Sequence, residues 1–208
     1  DGTISNVQDN PATPKAEVVA TADDGYRFVN WTSDRSADTY ADVEAIRALE
    51  ISEDTTFTAN FTNRSDLHYE VHYFYDNEEN KDQQDVNDEA VFGEEIPYTA
   101  TTPTEYKGQT YVLERIEKLG DGTVTTEASK NVVNVYYTLD EDGPNKESDG
   151  KPDKYQIWIR YEAGANGSVT AAEGGSTEEF YTIKTWDTAE DGTISNVQDN
   201  PATPKAEV

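Results

Sequence analysis

The 208-residue chain contains no cysteine. This absence excludes disulfide bonds, metal sites built from thiolates and cysteine nucleophiles. Histidine is almost as rare, with only two in the chain. Folded units in this protein must therefore be held together by packing, or by a cross-link of another kind.

Positive charge is also scarce, since 16 Lys and Arg residues stand against 43 Asp and Glu, for a formal net charge of −27. Such a chain has little to neutralise phosphates, so we expect no nucleic acid partner and no attraction to anionic membranes. No run approaches the 18 apolar residues of a membrane-spanning helix, so we expect no membrane insertion.

Aromatic residues, by contrast, make up 11% of the chain and include 13 Tyr, although hydrophobic residues as a whole reach only 34%. Those aromatics suffice for small cores, so we do not expect wholesale disorder. Apolar side chains recur mostly at every second position, in runs separated by Gly, Asn and Asp turns, which predicts a mainly β (α+β) fold. The clearest runs are 26–31, 56–62, 68–75, 110–117, 131–139 and 155–161.

One segment has a different period. In "SADTYADVEAIRALE" (36–50), Tyr40, Val43, Ile46 and Leu49 recur every three residues without Gly or Pro. This pattern predicts a short helix over 37–49, although "ALEI" could equally begin a strand.

The eighteen residues "DGTISNVQDNPATPKAEV" occur twice, at 1–18 and again at 191–208. We call this sequence the phrase. Its two starting positions give a period of 190 residues, which predicts a window from a longer tandem array.

The period divides into two predicted units. Unit B is residues 67–140, followed by an acidic segment at 141–154 that we expect to be a solvated, semi-extended linker. Unit A is split: residues 155–208 form its N-terminal part, and residues 1–63 form its C-terminal part, with the phrase in the middle leading into a strand at Val18–Ala22. Two alternatives stay open, namely completion of unit A by a neighbouring chain or by the next copy in a continuous array.

Several motifs resemble repeats of bacterial surface proteins. The sequences "GYRFVNWTSD" (25–34), "ISEDTTFTANF" (51–61) and "YQIWIRYEAGANGSVTAAEGG" (155–175) resemble the InlB B-repeat-like (Listeria–Bacteroides) family. Unit B resembles MucBP-like (mucin-binding-protein) repeats through "YEVHYFYDNEEN" (69–80) and "NVVNVYY" (131–137). These resemblances imply small β-grasp-like domains in tandem, like beads on a string, in secreted adhesins of the bacterial cell surface that are often anchored to the cell wall.

Unit B has more tyrosines than one small core can hold, so some should show their rings to solvent. Exposed tyrosines could bind mucin-type glycans or a host protein, and the candidates are Tyr98, Tyr106, Tyr111 and Tyr136. The alternative is an ordinary exposed sheet surface. In unit A, we expect Phe28, Phe57 and Phe61 to be core residues rather than a carbohydrate platform.

Metal binding and catalysis have weaker support. "DEDG" (140–143) and "ESDG" (147–150) suggest calcium, with Asp140, Asp142 and Asp149 as candidate ligands, but acidic runs are usually only solvated. His68 and His72 lie about 13 Å apart along an extended strand, too far to share a metal ion. No nucleophile elbow and no phosphate-binding loop is present, so we expect a non-enzymatic stalk or structural array without a cofactor, unless calcium is one.

Overall fold

In the computed structural model, the described residues are 10–15, 17–141 and 148–204. Strands take up 43% of these described residues and helix 6%, so the predicted mainly β class with one short helix is confirmed. The strands belong to three successive regions, which we call the N-terminal sheet, the central sheet and the C-terminal hairpins.

The N-terminal sheet consists of β1 (Tyr26–Ser33), β2 (Thr39–Tyr40) and β3 (Phe57–Asn63), in the order β2-β1-β3 and antiparallel throughout. Phe28 is paired with Phe61 and Trp31 with Ala59, so their side chains share one face with Phe57. The opposite face carries polar residues such as Thr58 and Thr62. Phe61 nevertheless remains 40% exposed.

The predicted helix is present but short, as α1 (Val43–Arg47). Asp42 caps its first turn by accepting a hydrogen bond from the Ala45 backbone N–H at 2.9 Å, and Ile46 buries its side chain. Residues 39 and 40 were predicted to be helical but form β2 instead, because they pair with Thr32 and Trp31 of β1.

The central sheet has six strands: β4 (Leu67–Tyr75), β5 (Glu78–Glu79), β6 (Asp85–Ala90), β7 (Thr104–Tyr106), β8 (Gln109–Lys118) and β9 (Val132–Leu139). Its order is β5-β4-β9-β8-β7, and β6 pairs with the same edge of β4 as β5. The first and last long strands, β4 and β9, are parallel neighbours. Residues 67–141 contain a 3₁₀ turn at Ala128–Lys130 and no α-helix, so the β-grasp topology stays a prediction.

Alternate residues of β4 and β9 form the core of the central sheet, as the period of two predicts. The innermost side chains are all nearly inaccessible to solvent: Leu67, Tyr69, Val71, Tyr73 and Tyr75 of β4, Val133, Val135 and Tyr137 of β9, and Leu113 of β8. Asn131, also buried, donates to the carbonyls of His68 and Thr125 and accepts from the Thr125 backbone N–H. This amide therefore joins the start of β9 to β4.

The C-terminal hairpins are two separate antiparallel pairs. The first is β10 (Gln156–Arg160) with β11 (Glu178–Thr182), and the second is β12 (Lys184–Thr188) with β13 (Ile194–Asp199). The Ile183 backbone N–H donates to Tyr155 O at 2.7 Å, which extends the first hairpin, and the Asn200 N–H donates to Ile183 O at 2.8 Å, which extends the second. Ile183 therefore takes part in both hairpins. The strand predicted at Val18–Ala22 is not formed, since these residues have no ladder partner here.

Candidate functional site

The four candidate tyrosines do not form one surface. Tyr106 and Tyr111 belong to a cluster of rings around Tyr75, with centroid distances from Tyr75 of 4.0 and 5.0 Å. Tyr111 is only 7% exposed, and its burial raises the pKa of the phenol. The prediction of an exposed Tyr111 is therefore wrong, because its ring completes the core on the inner face of the sheet.

Tyr98 and Tyr136 lie apart from that cluster. Tyr98 packs against the core, with the Lys118 ammonium 5.3 Å from its ring centroid. Tyr136 lies on the outer face of the sheet, stacked on Phe74 at 4.7 Å on one side and under the Arg115 guanidinium at 3.6 Å on the other. Both ring faces of Tyr136 have neighbours, and its hydroxyl donates to Glu117 at 3.1 Å. Tyr136 therefore offers a ligand its ring edge rather than a stacking platform.

The outer face of β4 carries a chain of alternating carboxylates and imidazoles. His68 contacts Asp88 through Nδ1 at 2.6 Å and Glu70 through Nε2 at 2.9 Å. The other Glu70 oxygen lies 2.8 Å from His72 Nε2, and His72 Nδ1 lies 2.7 Å from Glu79. We call these five residues the histidine chain. The hydrogen bonds from Glu70 and Asp88 raise the pKa of His68, and those from the two histidines lower the pKa of Glu70.

Within the histidine chain, Glu70 links the two histidines, and the sequence alone did not single it out. Glu70 lies between the two histidines on the same face of β4. The alternation of side chains along the strand was therefore the signal that could have found it. That His68 and His72 lie too far apart to share a metal ion stays a prediction. Within the described residues, no three His, Asp or Glu side chains are arranged to hold a metal ion.

The candidate calcium ligands are engaged by protein donors where they are described, and Asp142 lies outside the described residues. Asp140 is 1% exposed and accepts hydrogen bonds from the Ser148 hydroxyl and the backbone N–H groups of Asp149 and Gly150. Asp149 accepts from Lys151 and from the Gln156 side-chain amide. These contacts fold residues 148–150 back onto the central sheet, and calcium binding stays a prediction.

The acidic segment also packs on its neighbours at several points, although residues 148–150 and 154 are exposed. Its role as a linker stays a prediction. Pro152 is fully buried, Lys154 pairs with Glu114 of β8, and the Glu141 backbone N–H donates to Asp153. Tyr155, also buried, packs against the Trp186 ring at a centroid distance of 5.3 Å. Composition predicts solvation for such a run, but hydrogen bonds to one buried carboxylate and burial of one proline hold it against its neighbours.

The second hairpin makes a direct contact with the central sheet beyond this segment. A Cβ placed at Gly192 would lie 2.7 Å from the Thr102 methyl group, so the turn between β12 and β13 touches the central sheet closely. A cavity of about 420 Å³ lies beside this contact, lined by residues that include Val112, Leu113, Trp186 and Ile194. We call the contacts that residues 140–141, residues 148–155 and this turn make with the central sheet the C-terminal junction.

The N-terminal sheet also packs on the central sheet, at a contact that we call the N-terminal junction. The Tyr26 and Phe92 rings meet edge to face at 5.5 Å, and Asn63 donates its side-chain amide to Phe92 O at 2.7 Å. The Thr126 hydroxyl donates to Asp24 at 2.7 Å. Only residues 64–66 separate β3 from β4, so the segment that connects the two sheets is short.

Comparisons with known proteins find a similarity in the N-terminal third of the chain. Residues 1–65 match the family model of the divergent InlB B-repeat domain. This family occurs in bacterial surface proteins. The resemblance of unit B to MucBP-like repeats stays a prediction. No curated protein and no solved structure matches the chain. In the described part of the chain, no helix has the length and apolar character needed to cross a membrane.

Proposed function

We propose that this chain belongs to the extended, non-enzymatic repeat region of a secreted protein of the bacterial cell surface. Folded units in series would act there as the stalk of an adhesin or fibre, with neighbouring repeats of the same polypeptide as the main partners. The family match over residues 1–65 and the phrase repeated after 190 residues both support this function.

The observation that carries the proposal is the packing at both junctions of the central sheet. A freely hinged chain of domains would have solvated linkers. Here the Phe92 ring contacts Tyr26 on one side, and Lys154 pairs with Glu114 of β8 on the other. Packed junctions restrict the angle between successive units, which makes reach proportional to copy number. The net charge of −27 adds repulsion between units along the array.

The experiment is small-angle X-ray scattering on chains of one, two and three 190-residue periods. We expect the radius of gyration to rise nearly in proportion to copy number, as for a rod. Compact packing would give growth with about the 0.38 power of length and a flexible coil about the 0.6 power, and either result contradicts a stalk.

A matched variant tests the role of the C-terminal junction in this behaviour. Asp140→Ala removes the acceptor of three hydrogen bonds, so residues 148–150 should detach from the central sheet. We expect Asp140→Ala to lower the radius of gyration of three-period chains without changing their mass. Asp82→Ala, a substitution at an exposed residue, should leave the radius of gyration unchanged.

Recognition of mucin-type glycans by unit B is the alternative function. It now depends on Tyr136 and Tyr98, since Tyr111 is buried and Tyr106 stacks on Tyr75. A glycan array probed with the whole chain tests it, and Tyr136→Ala should abolish any binding that this surface provides.

A further inference from the structure

The two copies of the phrase make different hydrogen bonds in the structure. In the second copy, residues 194–199 form β13 and pair with β12, from Thr188↔Ile194 to Lys184↔Asp199. In the first copy, Ala12 forms an antiparallel bridge with Ile51, with both N–H···O distances at 2.7 Å. Residues 1–9 of the first copy lie outside the described residues.

These two sets of bonds are compatible within one phrase. Ala12 corresponds to Ala202, which follows the β13 strand by three residues. A single phrase can therefore pair with β12 through its middle and with Ile51 through its later part, because no residue is used twice. The phrase would then join the C-terminal hairpins to an N-terminal sheet.

The C-terminal hairpins have an apolar groove at the place where Ala202 lies. Its lining consists of Ile157, Ile159, Ile183, Pro201 and Ala202, with Lys184 and Asp199 at the rim, and its volume is about 400 Å³. Ile157 is 36% exposed there, although its neighbour Gln156 is buried. The groove offers an apolar surface on which another segment of the array can pack.

The N-terminal sheet has the matching feature. Its apolar face carries Phe28, Trp31 and Phe61 without a second layer over Phe61, which is 40% exposed. The segment before β1 adds Val19, which is 88% exposed, and Val18, which is 46% exposed. The N-terminal sheet region is joined to the first copy of the phrase by the bridge between Ile51 and Ala12. The groove is lined by Ala202, the corresponding residue of the second copy.

We propose that the groove of the C-terminal hairpins is covered by the N-terminal sheet that follows the same phrase in the next copy of the repeat. Ala202 then bridges to that copy's Ile51, and one folded unit spans the hairpins, the phrase and the next β1–β3 sheet. This inference rests on the proposed function, because it requires tandem copies. Beyond the proposed function, the inference identifies the surface through which successive copies are connected.

The test extends the chain with a second copy of residues 19–65, so that both phrases are followed by the same sequence. Hydrogen-bonded antiparallel partners have Cα atoms about 5.5 Å apart, within the range of a disulfide. Since the chain has no cysteine, Ala202→Cys together with Ile51→Cys in the appended copy introduces a single possible bond. Oxidation should yield this bond within one molecule.

Two further pairs control the geometry. Ala12→Cys with Ile51→Cys of the first sheet should cross-link, because that bridge is present in the structure. Thr203→Cys with the appended Ile51→Cys is one residue out of register and should cross-link poorly. As a second readout, amide exchange at Ile157–Ile159 should slow by about tenfold or more upon extension of the chain.

Three results would overturn the inference: no cross-link at Ala202 beyond the Thr203 control, cross-links that form only between molecules, or unchanged exchange at Ile157–Ile159. If the Ala12→Cys and Ile51→Cys pair fails to cross-link, the bridge on which the inference depends is not formed. If multi-period chains still lengthen in proportion to copy number while Ala202 does not cross-link, the stalk function stands and only this connection is wrong.

Discussion

The central sheet and the N-terminal sheet have similar strands but different surroundings. In β4, five alternate side chains are each no more than 6% exposed, because neighbouring strands and the segments that pack on the inner face enclose them. In β3, the alternate residues Phe57, Ala59 and Phe61 also share one face, yet Phe61 remains 40% exposed. Alternation therefore determines which residues face together, and distant parts of the chain determine whether that face is covered.

The largest expected effect is a difference in core energetics between these sheets. Leu113→Ala should lower the free energy of unfolding of the central sheet by about 2–5 kcal/mol, because it leaves a cavity among buried side chains. Phe61→Ala should cost the N-terminal sheet only about 1–2 kcal/mol, because much of that ring is already in water. Urea denaturation followed by backbone amide NMR separates the two sheets.

Equal losses for the two substitutions would contradict the comparison. Exposed Leu119→Ala is the control within the central sheet and should stay within about 0.5 kcal/mol of the unsubstituted protein. In the extended chain, Phe61→Ala in the appended copy should cost more than Phe61→Ala in the first copy, since only the appended face covers a groove.

Local patterns predicted the strands and the shared faces well. Leu67–Tyr75 and Val132–Leu139 were both recognised from alternation, and the helix from its period of three. The position of Tyr111 could not be predicted in this way, because its burial depends on rings of β4, β7 and β9. The contacts of the acidic segment could not be predicted for the same reason, since composition does not show that Asp140 is buried beside its donors.

The next prediction concerns the N-terminal junction that joins the two sheets. Gly25 has φ +80°, and an added Cβ would lie 2.4 Å from the Phe92 ring. Gly93 has nearly the same φ, +81°, with nothing within 4 Å of its added Cβ. Both Gly→Ala substitutions carry backbone strain of about 1–2 kcal/mol, but Gly25→Ala should cost about 1–3 kcal/mol more.

The measurement is the difference between the two variants in thermal unfolding, together with the NMR shifts of Tyr26 that depend on the Phe92 ring. Gly25→Ala should move the Tyr26 resonances, and Gly93→Ala should move them much less. If the two variants are equally stable, the sheets are not packed at Phe92, and the N-terminal sheet behaves as an independent bead.

The smallest expected effect is a pH dependence confined to the central sheet, where the histidine chain connects β4 to β5 and β6. The raised pKa of His68 stabilises the fold below its unfolded value of about 6.5, and this stabilisation is lost as the pH rises through the raised pKa. The lowered pKa of Glu70 stabilises the fold above about 4.5, and that part is lost as the pH falls through the lowered pKa.

The contribution should therefore be greatest between about pH 4.5 and 6.5. His68→Gln should remove the part of this contribution that comes from the His68–Glu70 pair, while His72 still contacts Glu70. The cost should be no more than about 1 kcal/mol, because the His68 and Glu70 side chains are about one-third exposed and solvent screens the pair. Urea denaturation at pH 5.5 and pH 8.5 measures the change. Lys81→Gln, an exposed substitution in the same sheet region, should lower or raise stability equally at both pH values. A His68→Gln effect as large at pH 8.5 as at pH 5.5 would mean that the histidine supports the edge strands by packing, and that its charge has no part in it.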